Sequence, residues 1–155
     1  MTQTPPNAQP QDRPQTRRLY GRASGHKLTE RQQTLVDTRL PALQWPDEGD
    51  LDPEALLPGF ETYVLEVGFG GAEHLIGQVQ RAPQTGFFGI EPFLNGVAKA
   101  LVGIDDHDLD NVRVKRSDAR DEMIRMPDGA FEKIFLLFPD PWPKKRHAKR
   151  RFVQP

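Results

Sequence analysis

The chain has 155 residues, carries 21 Lys and Arg against 22 Asp and Glu for a net charge of −1, and contains no cysteine. That length suits one compact unit burying about two thirds of its unfolded surface. The missing thiols exclude a disulfide framework and a thiolate metal site, and the balanced charge leaves polyanion binding only to a local patch.

Met1 to Thr16 is built from Pro, Gln, Thr and Asn, which cannot offset the entropy of ordering, and a disordered tail is expected there. Residues 17–60 read as a basic arm, a helix and an irregular connection. Arg17 to Lys27 is basic and glycine-punctuated: an arm that touches RNA, or a solvated linker. Thr29 with Gln32 three residues later forms a capping box for a helix ending before Pro41. Gln44 to Phe60 holds three prolines and two glycines and predicts no element.

From residue 61 to 155 strands and helices alternate. Strands are predicted at Tyr63 to Val67, Phe87 to Ile90, Asn111 to Val114 and Phe131 to Phe138, with helices over Ala72 to Arg81, after Pro92, and around Ala119 to Arg125. Such near-continuous apolar strands fit an α/β parallel sheet covered on both faces. The longest apolar run, Ile134 to Phe138, is too short to cross a bilayer and the amino terminus lacks a signal-peptide pattern, so a cytoplasmic protein with no membrane role is expected.

In an open parallel sheet ligands collect beyond the carboxyl ends of the strands, and every candidate residue falls at such an end. Gly68, Gly70 and Gly71 follow the first strand and suit a tight cofactor-binding turn, although glycine turns also close ordinary strand-to-helix corners. A dinucleotide fingerprint wants a glycine at position 73, where this chain has Glu73, so hydride chemistry is disfavoured. Glu66, two residues before Gly68, instead suits a cofactor bearing an ammonium and a sulfonium. Glu91 follows the second strand, 23 residues after Gly68, where an acid accepts ribose hydroxyls. Asp118 follows the third strand and reads equally as an acceptor for an adenine amino group or as a helix cap.

Asp140 stands between Pro139 and Pro141, which fix its backbone on both sides. Trp142 reads as a base-stacking platform or as a ring packed under the loop. Six of the eight residues Lys144 to Arg151 are basic with no acid between them, a pattern that favours RNA contact over a solvated face. The four histidines show no metal-ligand spacing, and no metal is expected.

These motifs, EVGFGGAEHL at Glu66 to Leu75, FFGIEP at Phe87 to Pro92, SDA at Ser117 to Ala119 and FPDPWPKKRHAKRR at the end, resemble the bacterial tRNA (guanine-N7-)-methyltransferase family from Arg17 onward. The last motif is close to diagnostic; the others are generic to class I methyltransferases. The resemblance implies a Rossmann-like parallel sheet with S-adenosyl-L-methionine as cofactor and tRNA as partner, and a monomer is favoured. It implies a cofactor site of Glu66, Gly68, Phe69, Gly70, Gly71, Glu91, Pro92, Asp118, Ala119 and Asp140. Asp140 is also its catalytic carboxylate, Lys144 touches the substrate, and Arg146, His147, Lys149, Arg150 and Arg151 contact tRNA. The implied target is a guanine in the variable loop.

Two departures from the family pattern carry expectations. Ala72 replaces a third loop glycine, at a cost of about 1–2 kcal/mol if the position needs a positive φ. The family also continues beyond position 155 with further helices, strands and substrate contacts, so the sheet is expected to be incomplete after its fourth strand, with an open edge and an uncovered face. Two rival readings are a non-catalytic remnant that binds RNA or cofactor, and an exocyclic-amine methyltransferase. In the latter, two prolines separate the acid from the aromatic residue; here only Pro141 separates Asp140 from Trp142.

Overall fold

The computed structural model describes residues 25–137 and 139–154. The expected tail and most of the basic arm lie outside the described residues. Thr29 opens α1 (Glu30–Thr38) with the predicted capping box: its hydroxyl accepts from the Gln32 N–H at 3.2 Å, and the Gln32 side chain accepts from the Thr29 N–H at 3.0 Å. Pro41 lies beyond the end of this helix, as expected. It falls in the first turn of a second short helix, α2 (Leu40–Leu43), where the absent N–H has no intrahelical partner to lose. A single turn, α3 (Pro53–Leu56), capped by Asp52, stands within the segment predicted to be irregular. One turn offers too little periodicity to be read beside three prolines.

Four strands follow, β1 (Thr62–Val67), β2 (Thr85–Ile90), β3 (Val112–Lys115) and β4 (Lys133–Leu136), joined through α4 (Glu73–Arg81), α5 (Leu94–Asp106) and α6 (Ala119–Met123). The sheet order is β3-β2-β1-β4 and every pairing is parallel. The predicted α/β class is therefore the observed one. Because the order reverses at β1, the loops after β1 and β4 part there and leave a crevice over the carboxyl ends of the strands.

Strand alternation sends side chains to two cores. Val64, Phe87, Val112 and Val114 meet Leu75 and Val79 of α4 and Val97, Leu101 and Ile104 of α5 on one face. Leu65, Val67, Phe88 and Ile90 meet Trp45, Leu51, Leu57 and Ala119 on the other. Asn111, buried just before β3, donates through its amide to the carbonyls of Val79, Ala82 and Thr85, fastening the α4–β2 turn to β3. On the opposite side of α5, Arg31 donates to Asp105 at 2.9 Å and also to Asp106, tying α1 to the helix.

A second polar cluster is built around Lys115, 3% exposed at the end of β3. Its ammonium donates to the carbonyls of Trp45 at 2.9 Å and Pro46 at 3.1 Å and pairs with Asp47 at 2.8 Å, which uses its three donors. Glu122 of α6, also buried, accepts from the Trp45 indole at 2.8 Å and from Arg125 at 3.0 Å, and stands 3.6 Å from Lys115. Arg125 donates in turn to the carbonyls of Gly49 and Pro46. The irregular segment 44–50 is thus clamped to α6 and β3 by charge-assisted hydrogen bonds rather than by secondary structure.

The expectation for the fourth strand needs correction. It was predicted as an apolar run over Phe131 to Phe138, covered on both faces, yet β4 is an edge strand of four residues in which Lys133 and Ile134 are exposed. Ile134 is 52% exposed. Only Phe135 and Leu136 are drawn in, Phe135 toward α4 and Leu136 toward the second core. An edge position explains the difference, since it has a neighbour on one side only.

Candidate functional site

The turn after β1 starts at Gly68, whose N–H donates to the Ile90 carbonyl of β2 at 2.8 Å. Gly68 and Gly70 have φ of 69° and 54°, and a side chain added to either would meet open space, so it is the backbone angle that selects glycine there. Ala72, the cap of α4, also has a positive φ of 67°. The strained case foreseen from the sequence is the observed one, at about 1–2 kcal/mol, and Ala72 is held in it by burial of its methyl group in the first core. Where α5 begins, Gly96 fits directly under the loop: a Cβ on it would lie 2.3 Å from the Gly70 carbonyl oxygen.

Glu91 braces this turn. One carboxylate oxygen accepts from the Gly70 N–H at 2.8 Å and the other from the Phe93 N–H at 3.0 Å, which fixes the carboxylate at the mouth of the crevice. Each oxygen keeps lone-pair capacity for a further donor. Asp118 caps α6, accepting from the Arg120 N–H at 2.9 Å, and the Arg120 guanidinium forks onto the same carboxylate at 3.1 and 2.8 Å. That pairing holds Arg120 firmly protonated. The helix-cap reading of Asp118 is the observed one, and the capping residue also lines the crevice.

The crevice has a volume of about 290 Å³. It is lined by Val67 and Gly68 from the end of β1, by Ile90, Glu91 and Pro92 from the end of β2, and by Asp118, Ala119 and Arg120 after β3. Leu136, Leu137, Pro139 and Asp140 come from β4 and the turn after it, and Trp142, Arg150 and Phe152 complete the lining. Glu91, Asp118 and Asp140, which are remote in sequence, thus share one cavity.

Other expected site residues stand elsewhere. Phe69 is packed in the first core, and Gly70 and Gly71 shape the turn without lining the crevice. Glu66 is 2% exposed and faces α4, where its carboxylate meets His74 Nδ1 at 2.7 Å. Strand alternation explains this: Glu66 shares its face with Val64, whereas Val67 points to the crevice side. His74 packs edge-on against Phe135, with ring centroids 5.0 Å apart, and Gln78 approaches its other nitrogen. Nothing in the histidine spacing revealed this partner; a histidine in the first turn of the helix after an acid-bearing strand end was the available signal.

Burial pushes the Glu66 carboxyl above its ordinary value, and the His74 hydrogen bond holds it back. A raised folded pKa means that Glu66 takes up a proton on folding. Its contribution to stability is full below its unfolded value of about 4.3 and is lost as pH rises through the folded value. Unfolding free energies measured between acid and neutral pH should show that decline flattened in Glu66→Gln. In His74→Phe it should be steeper and extend to higher pH.

Beyond Asp140 the chain turns at Trp142, whose φ of 38° is unusual for a bulky residue and marks a tight turn. A 3₁₀ helix over Lys145–Arg150 follows. His147 meets the Trp142 ring edge-on at 5.5 Å, and the Arg150 guanidinium lies over that ring at 5.0 Å. Lys144, Lys145, Arg146, Lys149 and Arg151 are exposed on the outer side. Among the described residues, no helix is long and apolar enough to cross a membrane.

A glycine turn, an acid after the second strand and an acid after the third meet at the carboxyl edge of a parallel sheet, the place where open α/β sheets gather ligands. The profile of a family described as "Putative methyltransferase" matches residues 61–155, and the chain belongs to that family. It is 51% identical over 138 residues to the tRNA (guanine-N(7)-)-methyltransferase of Hyphomonas neptunium, an overlap of 88% of this chain and 63% of that protein. It is 47% identical over 144 residues to the enzyme of the same name from Rhodospirillum rubrum (89% and 56%) and 47% identical over 137 residues to that from Zymomonas mobilis (88% and 59%). The chain thus spans about three fifths of the length of these relatives.

Proposed function

We propose that the protein is a tRNA (guanine-N7-)-methyltransferase that uses S-adenosyl-L-methionine and acts on a guanine of the tRNA variable loop. The observation that carries this reading is the meeting of Glu91, Asp118 and Asp140 in one crevice that Arg150 of the basic 3₁₀ helix also lines. The names and identities of the relatives support it. The residues present fit the cofactor: the braced Glu91 carboxylate can accept ribose hydroxyls, Asp118 can accept from an adenine amino group, and the positive-φ glycine turn leaves room for close backbone approach.

When bound, S-adenosylmethionine supplies an electrophilic methyl group. Guanine N7 already carries a lone pair, so Asp140 need not act as a strong base. Its carboxylate accepts from the guanine N1 and N2 hydrogens, orients the ring and stabilises the positive charge that develops on it. Pro139 and Pro141 restrict the backbone that carries it. The exposed lysines and arginines of the 3₁₀ helix hold tRNA phosphates. Because N7 of a base in A-form RNA faces a deep, narrow groove, the target nucleotide stands outside a regular helix.

The test is transfer of labelled methyl from S-adenosylmethionine to unmodified tRNA by the 155-residue chain, followed by borohydride and aniline cleavage. Strand scission in the variable loop is expected. Cofactor and tRNA binding without transfer would favour the reading as a non-catalytic binding protein, and label in an exocyclic amine would overturn the N7 assignment.

A further inference from the structure

Gly96 is the third residue of α5, a place where alanine would favour the helix, yet a side chain there has no room. A Cβ would collide with the Gly70 carbonyl oxygen and stand 3.0 Å from Glu91 Cγ. The first turn of α5 therefore touches, at one point, both the glycine turn after β1 and the acid after β2. Hydrogen bonds close the same circuit. Glu91 accepts from the Gly70 N–H at 2.8 Å and from the Phe93 N–H at 3.0 Å, and the Phe93 carbonyl accepts from the Gly96 N–H at 3.1 Å.

The two sides of this contact differ in how far they can yield. α5 is held from behind, with Val97, Ala100, Leu101 and Ile104 buried in the first core and Arg31 tying Asp105 and Asp106 to α1. The turn is pinned at Gly68, whose N–H reaches the Ile90 carbonyl, and at Ala72, whose N–H reaches the Phe69 carbonyl at 2.8 Å. Between these pins Gly70 is exposed, with open space where its own side chain would be. A side chain at position 96 would thus lift Gly70 outward and draw its N–H from Glu91, rather than push the helix back.

We infer that Gly96 is a positioning residue for the cofactor: its missing side chain lets α5 support the Gly70 carbonyl and the Glu91 carboxylate at one contact, which presets both before a ligand arrives. This rests on the reading of the crevice as the S-adenosylmethionine site, and it adds to that reading the element that sets its geometry. A preset acid loses little freedom when the ligand binds, so the consequence lies in affinity for the nucleoside and not in the chemical step.

The experiment titrates the chain by calorimetry with 5′-methylthioadenosine and with its 2′,3′-dideoxy analogue. In Gly96→Ala the affinity for 5′-methylthioadenosine should fall about ten- to hundredfold, the scale of one hydrogen bond to a charged group. The preference over the dideoxy analogue, which reports the acid on the ribose, should shrink toward one. Methyl transfer should show a matching rise in KM for S-adenosylmethionine, with kcat within about threefold of the unaltered value. Gly77→Ala is the control: in α4 an added Cβ meets the flexible Arg81 side chain at 3.3 Å, and both ligands should bind as they do to the unaltered chain. Unchanged nucleoside affinity in a folded Gly96→Ala would overturn the inference and leave the cofactor reading in place, as would weakening that keeps the preference for the hydroxyls. If Gly96→Ala does not fold, hydrogen exchange of the unaltered chain decides: a Gly70 amide protected without ligand upholds the presetting, and one protected only after binding overturns it. An unaltered chain that bound neither compound would remove the cofactor reading itself, and the inference with it.

Discussion

Replacing Lys115 by alanine is expected to destabilise the protein by about 3–5 kcal/mol, the range for breaking a buried charge cluster by removing one member. The ammonium holds two carbonyls and Asp47 at hydrogen-bond distance; its loss strands the buried Trp45 carbonyl, while the Pro46 carbonyl keeps its bond from Arg125. Glu122 would keep the Trp45 indole and Arg125 at 3.0 Å while losing its second compensating cation, 3.6 Å away. Urea unfolding measures the effect as a lower midpoint at unchanged slope. A loss below about 1 kcal/mol would mean that water replaces the ammonium and that segment 44–50 is not anchored there.

The second large effect is expected at Asp140. Changing it to alanine should lower methyl-transfer turnover about 10²- to 10³-fold, the cost of removing one preorganised electrostatic contact. Cofactor affinity should move by no more than about threefold, since an interaction made chiefly in the transition state leaves ground-state binding nearly untouched. Single-turnover kinetics beside equilibrium cofactor binding separate the two quantities. Normal turnover in Asp140→Ala would remove the carboxylate from the chemistry.

The elements that the sequence revealed are those set by local rules. The capping box at Thr29, the four strands within a few residues, and α4 and α5 all follow from side-chain hydrogen bonding or periodicity confined to one window. Residues that act across the fold were not legible in this way. Lys115, Trp45 and Glu122 look like an ordinary strand-end lysine, a loop tryptophan and a surface-helix acid until β3 and α6 bring them together. Glu66 shows the opposite failure: its place beside the glycine turn suggested the crevice, yet strand alternation turns it to the far face and onto His74. The basic run was legible as charge, but its split into outward residues and an inward Arg150 depends on the turn at Trp142, which no periodicity encodes.

The sheet order carries a consequence for how the molecule assembles. Pairing β1 with β2 closes a segment of about twenty residues, whereas pairing β1 with β4 closes about seventy, and the longer closure costs about 1 kcal/mol more in chain entropy. The more local β1, β2 and β3 contacts are then favoured early, with β4 docking onto a surface already formed. Being short, one-sided and half-exposed, β4 repays that closure poorly, so it and the loop behind it belong to the least protected layer of the protein. The half of the crevice made by the turns after β1, β2 and β3 would be in place before the half that carries Asp140. During synthesis, a chain still missing β4 already displays the turns after β1, β2 and β3, and Asp140, the carboxylate proposed to act on guanine, is installed last.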